Sequence, residues 1–186
     1  MRLLYLIVAI LAVLSSTAQE SKKAITEEEY KVIDAVFDNY NLNKFLLDDE
    51  NYNYKLLSAF GVYIHWYIKF LETGENGPPT SKGIEWILDS EDISDISLDI
   101  EYDKTAIKWD KYKLNRPEII YSSEYLKSLT SEESQSMGLV QISKPYLNRD
   151  KTKAVVFIIA DSGYLVLAKK TGDGWKVCGK IFYIYS

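Results

Sequence analysis

Histidine and cysteine are almost missing from this chain, which has one of each, His65 and Cys178, in 186 residues. A zinc site draws on several nitrogen or sulfur ligands, so this pair alone builds none, and an H-E-x-x-H motif needs a second histidine. A lone cysteine excludes an internal disulfide, so stability has to come from a hydrophobic core. Cys178 sits in a strand-like apolar run and reads as a small buried hydrophobe. No G-x-S-x-G stretch supplies a nucleophile for His65 to activate. Neither a P-loop nor G-x-G-x-x-G occurs, so nucleotide binding has no support. Past the N-terminus no run of eighteen uncharged apolar residues exists, so no later membrane span is expected. These absences point away from an enzyme and imply no cofactor and no metal site.

The N-terminus reads MRLLYLIVAILAVLSSTAQ. Arg2 gives a short positive start, Leu3 to Leu14 an apolar stretch, and Ser16-Thr17-Ala18 the small residues of a cleavage site. This is the layout of a secretory signal peptide over residues 1–18, too short for a bilayer span of about 20 residues. Residues 19–186 are then expected as a single exported α+β domain, periplasmic or extracellular. Arg2 leaves with the leader, so 21 basic side chains face 27 acidic ones, a net charge of −6. Such a balance argues against nucleic acid and anionic membrane surfaces as partners.

Thr26-Glu27-Glu28-Glu29 reads as a capping box, and Val32, Ile33, Val36, Phe37 and Tyr40 follow at helical spacing. The pattern predicts a helix over 27–39. Asn39 to Asn53 reads as a polar connection, interrupted by Phe45 to Leu47. The stretch FGVYIHWYIKF, residues 60–70, surrounds the only histidine with Phe60, Tyr63, Trp66, Tyr67 and Phe70. Lys55, Ser58, His65, Lys69 and Glu72 recur at steps of three, seven, four and three, which puts a narrow polar stripe on an otherwise apolar helix over 53–72. His65 then lies at the rim of a core helix, with Trp66, Tyr67 and Phe70 facing mainly inward. If this segment carries a binding surface, Tyr63, His65, Trp66 and Tyr67 are its candidates.

Residues 95–114 predict a β-hairpin turning at Asp103-Lys104, with Ile96, Leu98, Ile100 and Tyr102 alternating with polar residues. Asp89, Glu91, Asp92, Asp95, Asp99, Glu101 and Asp103 then read as a solvated strand face, with weak calcium binding as the sharper alternative. A separate EF-hand start, Asp49-x-Asn51-x-Asn53, fails because Tyr54 and Phe60 stand where glycine and glutamate are required. After a short helix near 123–129, strands are expected over 138–143, 153–160, 164–170 and 175–185. Their turns NRDKT, DSG and TGDG are rich in turn-forming residues. Helices first and sheet last gives an α+β domain: N-terminal helices packed on one face of a C-terminal antiparallel meander.

G-L-V-Q-I-S-K-P, D-K-T-K-A-V-V-F, G-Y-L-V-L-A-K-K, G-W-K-V and the terminal Ser186 resemble the C-terminal end of small exported bacterial proteins of unknown function. Glu28-Glu29-Tyr30 is similar to their early helix. The resemblance covers about a third of the chain. It implies the fold and the export, and it implies no activity.

The leading expectation is therefore a non-catalytic exported domain that binds an envelope protein or a glycan. Carboxylate-pair glycoside hydrolysis, or sugar binding without hydrolysis, is the carbohydrate alternative, because acids and aromatics are plentiful. An acidic inhibitor or immunity-type protein is the third reading.

Overall fold

The computed structural model describes residues 24–40, 45–48, 50–51, 56–75, 84–103, 107–114, 116–125, 138–160 and 162–183. The expected leader (1–18), residues 49 and 52–55 of the failed calcium loop, the turn at Lys104, the end of the helix near 123–129 and Ser186 lie outside the described residues. The chain forms one α+β domain whose elements are α1 (Glu27–Asn39), β1 (Phe45–Leu47), β2 (Glu50–Asn51), α2 (Leu56–Thr73), α3 (Ser90–Tyr102), β3 (Ile107–Lys108), β4 (Ile119–Tyr121), α4 (Ser122–Tyr125), β5 (Leu139–Ile142), β6 (Tyr146–Leu147), β7 (Lys153–Ile159), β8 (Gly163–Thr171) and β9 (Gly174–Tyr183).

The expected meander is present. β7, β8 and β9 pair antiparallel in sequence order, and β5 and β6 lie one after the other along the far edge of β7. The sheet does not stop there. Phe45 to Leu47, expected as a break in a connection, forms β1, which lies parallel between β5 and β4. The result is a mixed, mostly antiparallel sheet of seven strands in the order β4-β1-β5-β7-β8-β9, with β6 on β7.

Helices cover both faces of this sheet, not one as the sequence suggested. Ala154, Val156, Ile158, Val166 and Ala168 point toward α1, whose Val32, Ile33 and Val36 are fully buried. Val155, Phe157, Leu165 and Leu167 point the other way, into a second core with Leu56, Phe60 and Tyr63 of α2 and Ile96 and Ile100 of α3. A strand buried on both faces needs a continuous apolar run, which is why KAVVFII lacks the usual alternation.

The predicted hairpin over 95–114 does not form. Its first half is α3, and its second half supplies β3, which pairs with β2 (Glu50 opposite Lys108). The cause is local. Asp89 caps the helix by accepting from the Glu91 and Asp92 amides, both at 3.0 Å, and the Asp92 carboxylate accepts from the Asp89 amide at 3.2 Å. Ile96 and Ile100, four apart, fit a strand face and a helix face equally well. Leu98 and Tyr102 decide the matter: as strand residues they would share that face, but they are exposed here.

β9 carries a bulge. Leu167 pairs with Gly179 and Ala168 with Val177, so Cys178 is the extra residue. A Cβ on Gly179 would stand in ordinary contact, 3.4 Å from Leu167 Cδ1 and 3.6 Å from Ile84, where residues 84–88 run over the strand. The Glu85 amide donates to the Cys178 carbonyl there, at 3.3 Å.

Two polar contacts fasten the helices. The Asp92 carboxylate, nearly buried, takes the Lys153 ammonium of β7 at 2.5 Å and the Asn148 amide at 2.9 Å. Asn148 Oδ1 in turn accepts from the Thr152 and Lys153 amides, closing the 148–152 turn. On the other face Glu28 of α1 takes the Lys170 ammonium at 2.6 Å and the Trp175 indole N–H at 2.8 Å.

Asp92→Ala leaves Lys153 and Asn148 without their shared acceptor and breaks the cap of α3. It is expected to lower stability by about 2–3 kcal/mol, read as a fall in the urea midpoint at unchanged slope. The Lys170 and Trp175 donors, backed by the charges of Lys170 and Lys31, hold the Glu28 carboxyl at about 2, against an ordinary 4.5. A lowered folded-state value gives stability that is complete above 4.5 and lost as pH falls toward 2. The stability difference between wild type and Glu28→Gln should therefore shrink over that window. A difference that stays flat as the medium is acidified through it would remove Glu28 as a source of acid sensitivity.

Candidate binding face

α2 is where the sequence concentrates aromatic residues around the histidine, and three kinds of surface run along it. The first faces the sheet. Leu56, Ala59, Phe60 and Tyr63 are buried, and Tyr67 and Phe70 continue the same face half-buried. Their rings form a ladder. Phe60 stacks on Tyr63 at 5.6 Å and Tyr63 on Tyr67 at 6.1 Å, both pairs nearly parallel. Trp86, from the segment that crosses β9, closes the ladder at 5.3 Å from Tyr63, 5.8 Å from Tyr67 and 5.6 Å from Phe70. Burial holds the Tyr63 phenol above its ordinary value, so it stays neutral.

The second surface is the polar stripe that the spacing predicts. Ser58, His65 and Glu72 are exposed, with Lys69 half-buried beside them. His65 meets Trp66 edge-on at 5.7 Å. The Lys69 ammonium lies 4.8 Å over the Trp66 ring and pairs with Glu75 at 2.6 Å.

The third surface is invisible in the polar spacing. Leu57, Gly61, Ile64, Ile68 and Leu71 step by four, three, four and three, so at about 100° per residue they line one face of the helix. That face looks outward. Leu57 is 46 %, Ile68 49 % and Leu71 64 % exposed, a Cβ on Gly61 would meet nothing within 4 Å, and Ile64 is half-buried against the α2–α3 core. The segment is apolar over a broad arc, and the described fold covers one side of it.

The four sequence candidates therefore do not share a surface. Tyr63 is fully buried, Trp66 and Tyr67 are half-buried in ring contacts, and His65 is exposed on the polar stripe. The residues missed were aliphatic. Their signal was the four-three repeat of Leu57, Ile64, Ile68 and Leu71, which the aromatic content masked.

The acidic run does not form the solvated strand face expected of it. Asp89 and Asp92 cap α3, Glu91 and Asp95 pair with Arg149 at 2.8 and 3.0 Å, and Asp103 pairs with Lys144. The partners come from the turn and strands of the sheet. Cys178 is half-buried, its thiol donates to the Leu167 carbonyl at 3.4 Å, and burial pushes that thiol up to about 11. Among the described residues no group of three His, Cys, Asp or Glu side chains could hold a metal ion, and no helix is long and apolar enough to cross a membrane.

Comparison of the chain with family models, with curated proteins and with solved structures finds no match.

His65→Ala removes an exposed side chain and should change stability by less than about 0.5 kcal/mol. Tyr63→Ala opens the ladder and should cost about 3–5 kcal/mol. Equal effects in chemical denaturation would contradict the assignment of the two helix faces.

Proposed function

We propose that this chain is an exported, non-catalytic interaction domain that docks a protein of the cell envelope on the outward stripe of α2. The observation that carries the reading is the line of Leu57, Ile68 and Leu71, each about half exposed or more, on a helix whose neighbouring face, about 100° around, is already packed. A line of exposed aliphatic residues on a single helix is costly to leave in water and fits an apolar partner surface. The sequence layout of residues 1–18 supports export, and the net charge of −6, 21 basic against 27 acidic side chains, turns the domain away from nucleic acid and anionic lipid.

Protein is favoured over glycan by the chemistry of the stripe. Sugars stack on open aromatic faces and need polar groups to orient their hydroxyls. Here the stripe is aliphatic, and Tyr63, Tyr67, Phe70 and Trp86 stack on one another. The inhibitor reading loses its support as well, because five acids of the 89–103 run are engaged by the domain's own cap and cations.

The test compares the tagged chain over residues 19–186 with its Leu57→Asp/Ile68→Asp variant in crosslinking capture from the native envelope. Both substitutions sit at exposed positions, so the melting temperature should fall by no more than a few degrees. The wild type is expected to recover one stoichiometric protein. That protein, once purified, should bind the variant at least about tenfold more weakly, a loss of about 1.4 kcal/mol. Equal binding by both chains would reject the stripe as the docking face. Recovery of glycan alone would transfer the function to the carbohydrate reading.

A further inference from the structure

The outward stripe of α2 has the spacing of a coiled-coil seam. Written as a heptad, Leu57, Ile64 and Leu71 fall at d, and Gly61 and Ile68 fall at a. From Leu57 to Leu71 the seam covers two heptads, about 21 Å of helix. Its flanks are unlike. The g positions, Phe60 and Tyr67, belong to the ring ladder, with Phe60 fully buried and Tyr67 stacked on Tyr63. The e positions are Ser58, His65 and Glu72, all exposed, so they form a polar rim. An apolar a/d line between a closed flank and a polar rim is one half of a helix–helix contact.

Three features of the seam bear on what fills it. A Cβ on Gly61 would meet nothing within 4 Å, so no neighbour in the described fold needs a glycine there, although glycine weakens the middle of a helix relative to alanine. At an a position it leaves a hole that a bulky side chain of a facing helix can enter. Ile64, the central d residue, is half-buried against the α2–α3 core, so a helix laid along the seam would extend a core already in place. Glu72 is the one carboxylate of the rim and pairs with no described residue, whereas Glu75 nearby is held by Lys69. A basic side chain on the occupant would complete it. An extended peptide needs an open sheet edge to pair with, which a helix surface does not offer. A second copy would bring the same rim, without a lysine or arginine to meet Glu72, and the same acidic excess.

We propose, on the reading that this stripe is the docking face, that its occupant is an amphipathic α-helix of the envelope partner, packed along α2 as a two-stranded coiled-coil segment. A bulky apolar side chain of that helix sits over Gly61, and a basic one lies opposite Glu72. Isoleucine at a with leucine at d suits a two-stranded pair. The charge contact at the rim sets register and speeds encounter more than it adds affinity.

The experiment places a benzophenone side chain singly at Leu57, Ile68 or Leu71, or at the exposed Asp38 of α1 as a control, in the full chain in its own cells. Crosslinks formed under light are mapped on the partner by peptide mass spectrometry. The three stripe positions are expected to crosslink and Asp38 is not. The partner residues reached should lie about eleven and about three apart, in forward or reverse order, on one helical face. Crosslinks from the stripe to separate loops, or to residues alternating along a strand, would overturn the helix and leave the docking face standing. Crosslinks back to this chain would replace the partner helix by a dimer. No crosslink from the stripe, or equal yield from Asp38, would reject the docking face and the helix together. Gly61→Leu should leave the melting temperature equal or higher, yet weaken binding of the purified partner at least about tenfold by filling the hole. Unchanged binding would overturn the close contact at Gly61. Glu72→Lys should weaken binding several-fold at low salt and less at high salt. A loss that does not depend on salt, or no loss, would overturn the basic residue opposite it.

Discussion

The constraint behind most of this architecture is that β7 and β8 have no wet side. Ala154 to Ile158 and Leu165 to Ala168 are buried in unbroken runs, alternate residues entering opposite cores. Two-sided burial of a sheet requires a cover on each face, and the chain supplies α1 for one and the pair α2–α3 for the other. Each cover is then held by a charged group whose partner lies on the sheet. Glu28 holds α1 to β8 and β9, and Asp92 holds α3 to β7 and the 148–152 turn. These contacts fix position more than they add stability. Burial of the apolar surface beneath each helix stabilises the domain far more, and a buried ion pair must offset its own desolvation.

α2 differs from the other two helices in this respect. α1 and α3 begin with a side-chain cap and a cluster of acids; the outward face of α1 is polar, and that of α3 is polar apart from Leu98 and Tyr102. α2 is apolar over the face that packs and over the stripe beside it, which stays largely exposed, with its polar residues confined to the side away from the sheet. A cover helix needs only the first of these. The second does not serve the described fold, and the chain bears the cost of hydrating it. That asymmetry, more than the aromatic richness of the segment, separates a recognition surface from a packing surface here. The aromatic residues belong to the core because they touch one another; in the aliphatic stripe Ile64 reaches that core, while Leu57, Ile68 and Leu71 stay largely exposed.

How much of this was legible in the sequence varied with how many signals agreed. Glu27–Asn39 was readable to the residue because cap, charge and period coincided, and the four C-terminal strands were readable because their turns carry glycine, asparagine and aspartate. The 95–114 hairpin was misread because Ile96 and Ile100 satisfy both periods, and the deciding cap, Asp89 with Asp92, uses aspartate where the familiar box has glutamate. The parallel strand Phe45–Leu47 was missed for another reason. Three residues carry no period, and their partners Ile119 to Tyr121 lie far along the chain. At the candidate face the polar stripe was visible and His65 was placed on it. The outward stripe was hidden because spacing shows which residues are apolar, and only packing shows which of them are covered.

The bulge at Cys178 joins fold and chemistry in a way no local pattern announces. Strict alternation from Val177, which faces α1, would send Gly179 and Ile181 to the same side and Lys180 to the other. One extra residue reverses the order. Ile181 enters the α2–α3 core, fully buried, and Lys180 turns under the end of α1 beside Tyr40. Gly179, next to the bulge, lies beside Ile84, and Trp86 from the same segment joins the ring ladder of α2. Removing it would therefore shift three things together: the cover over β9, the ladder that seats α2, and the lysine held against the Tyr40 ring in place of an acid.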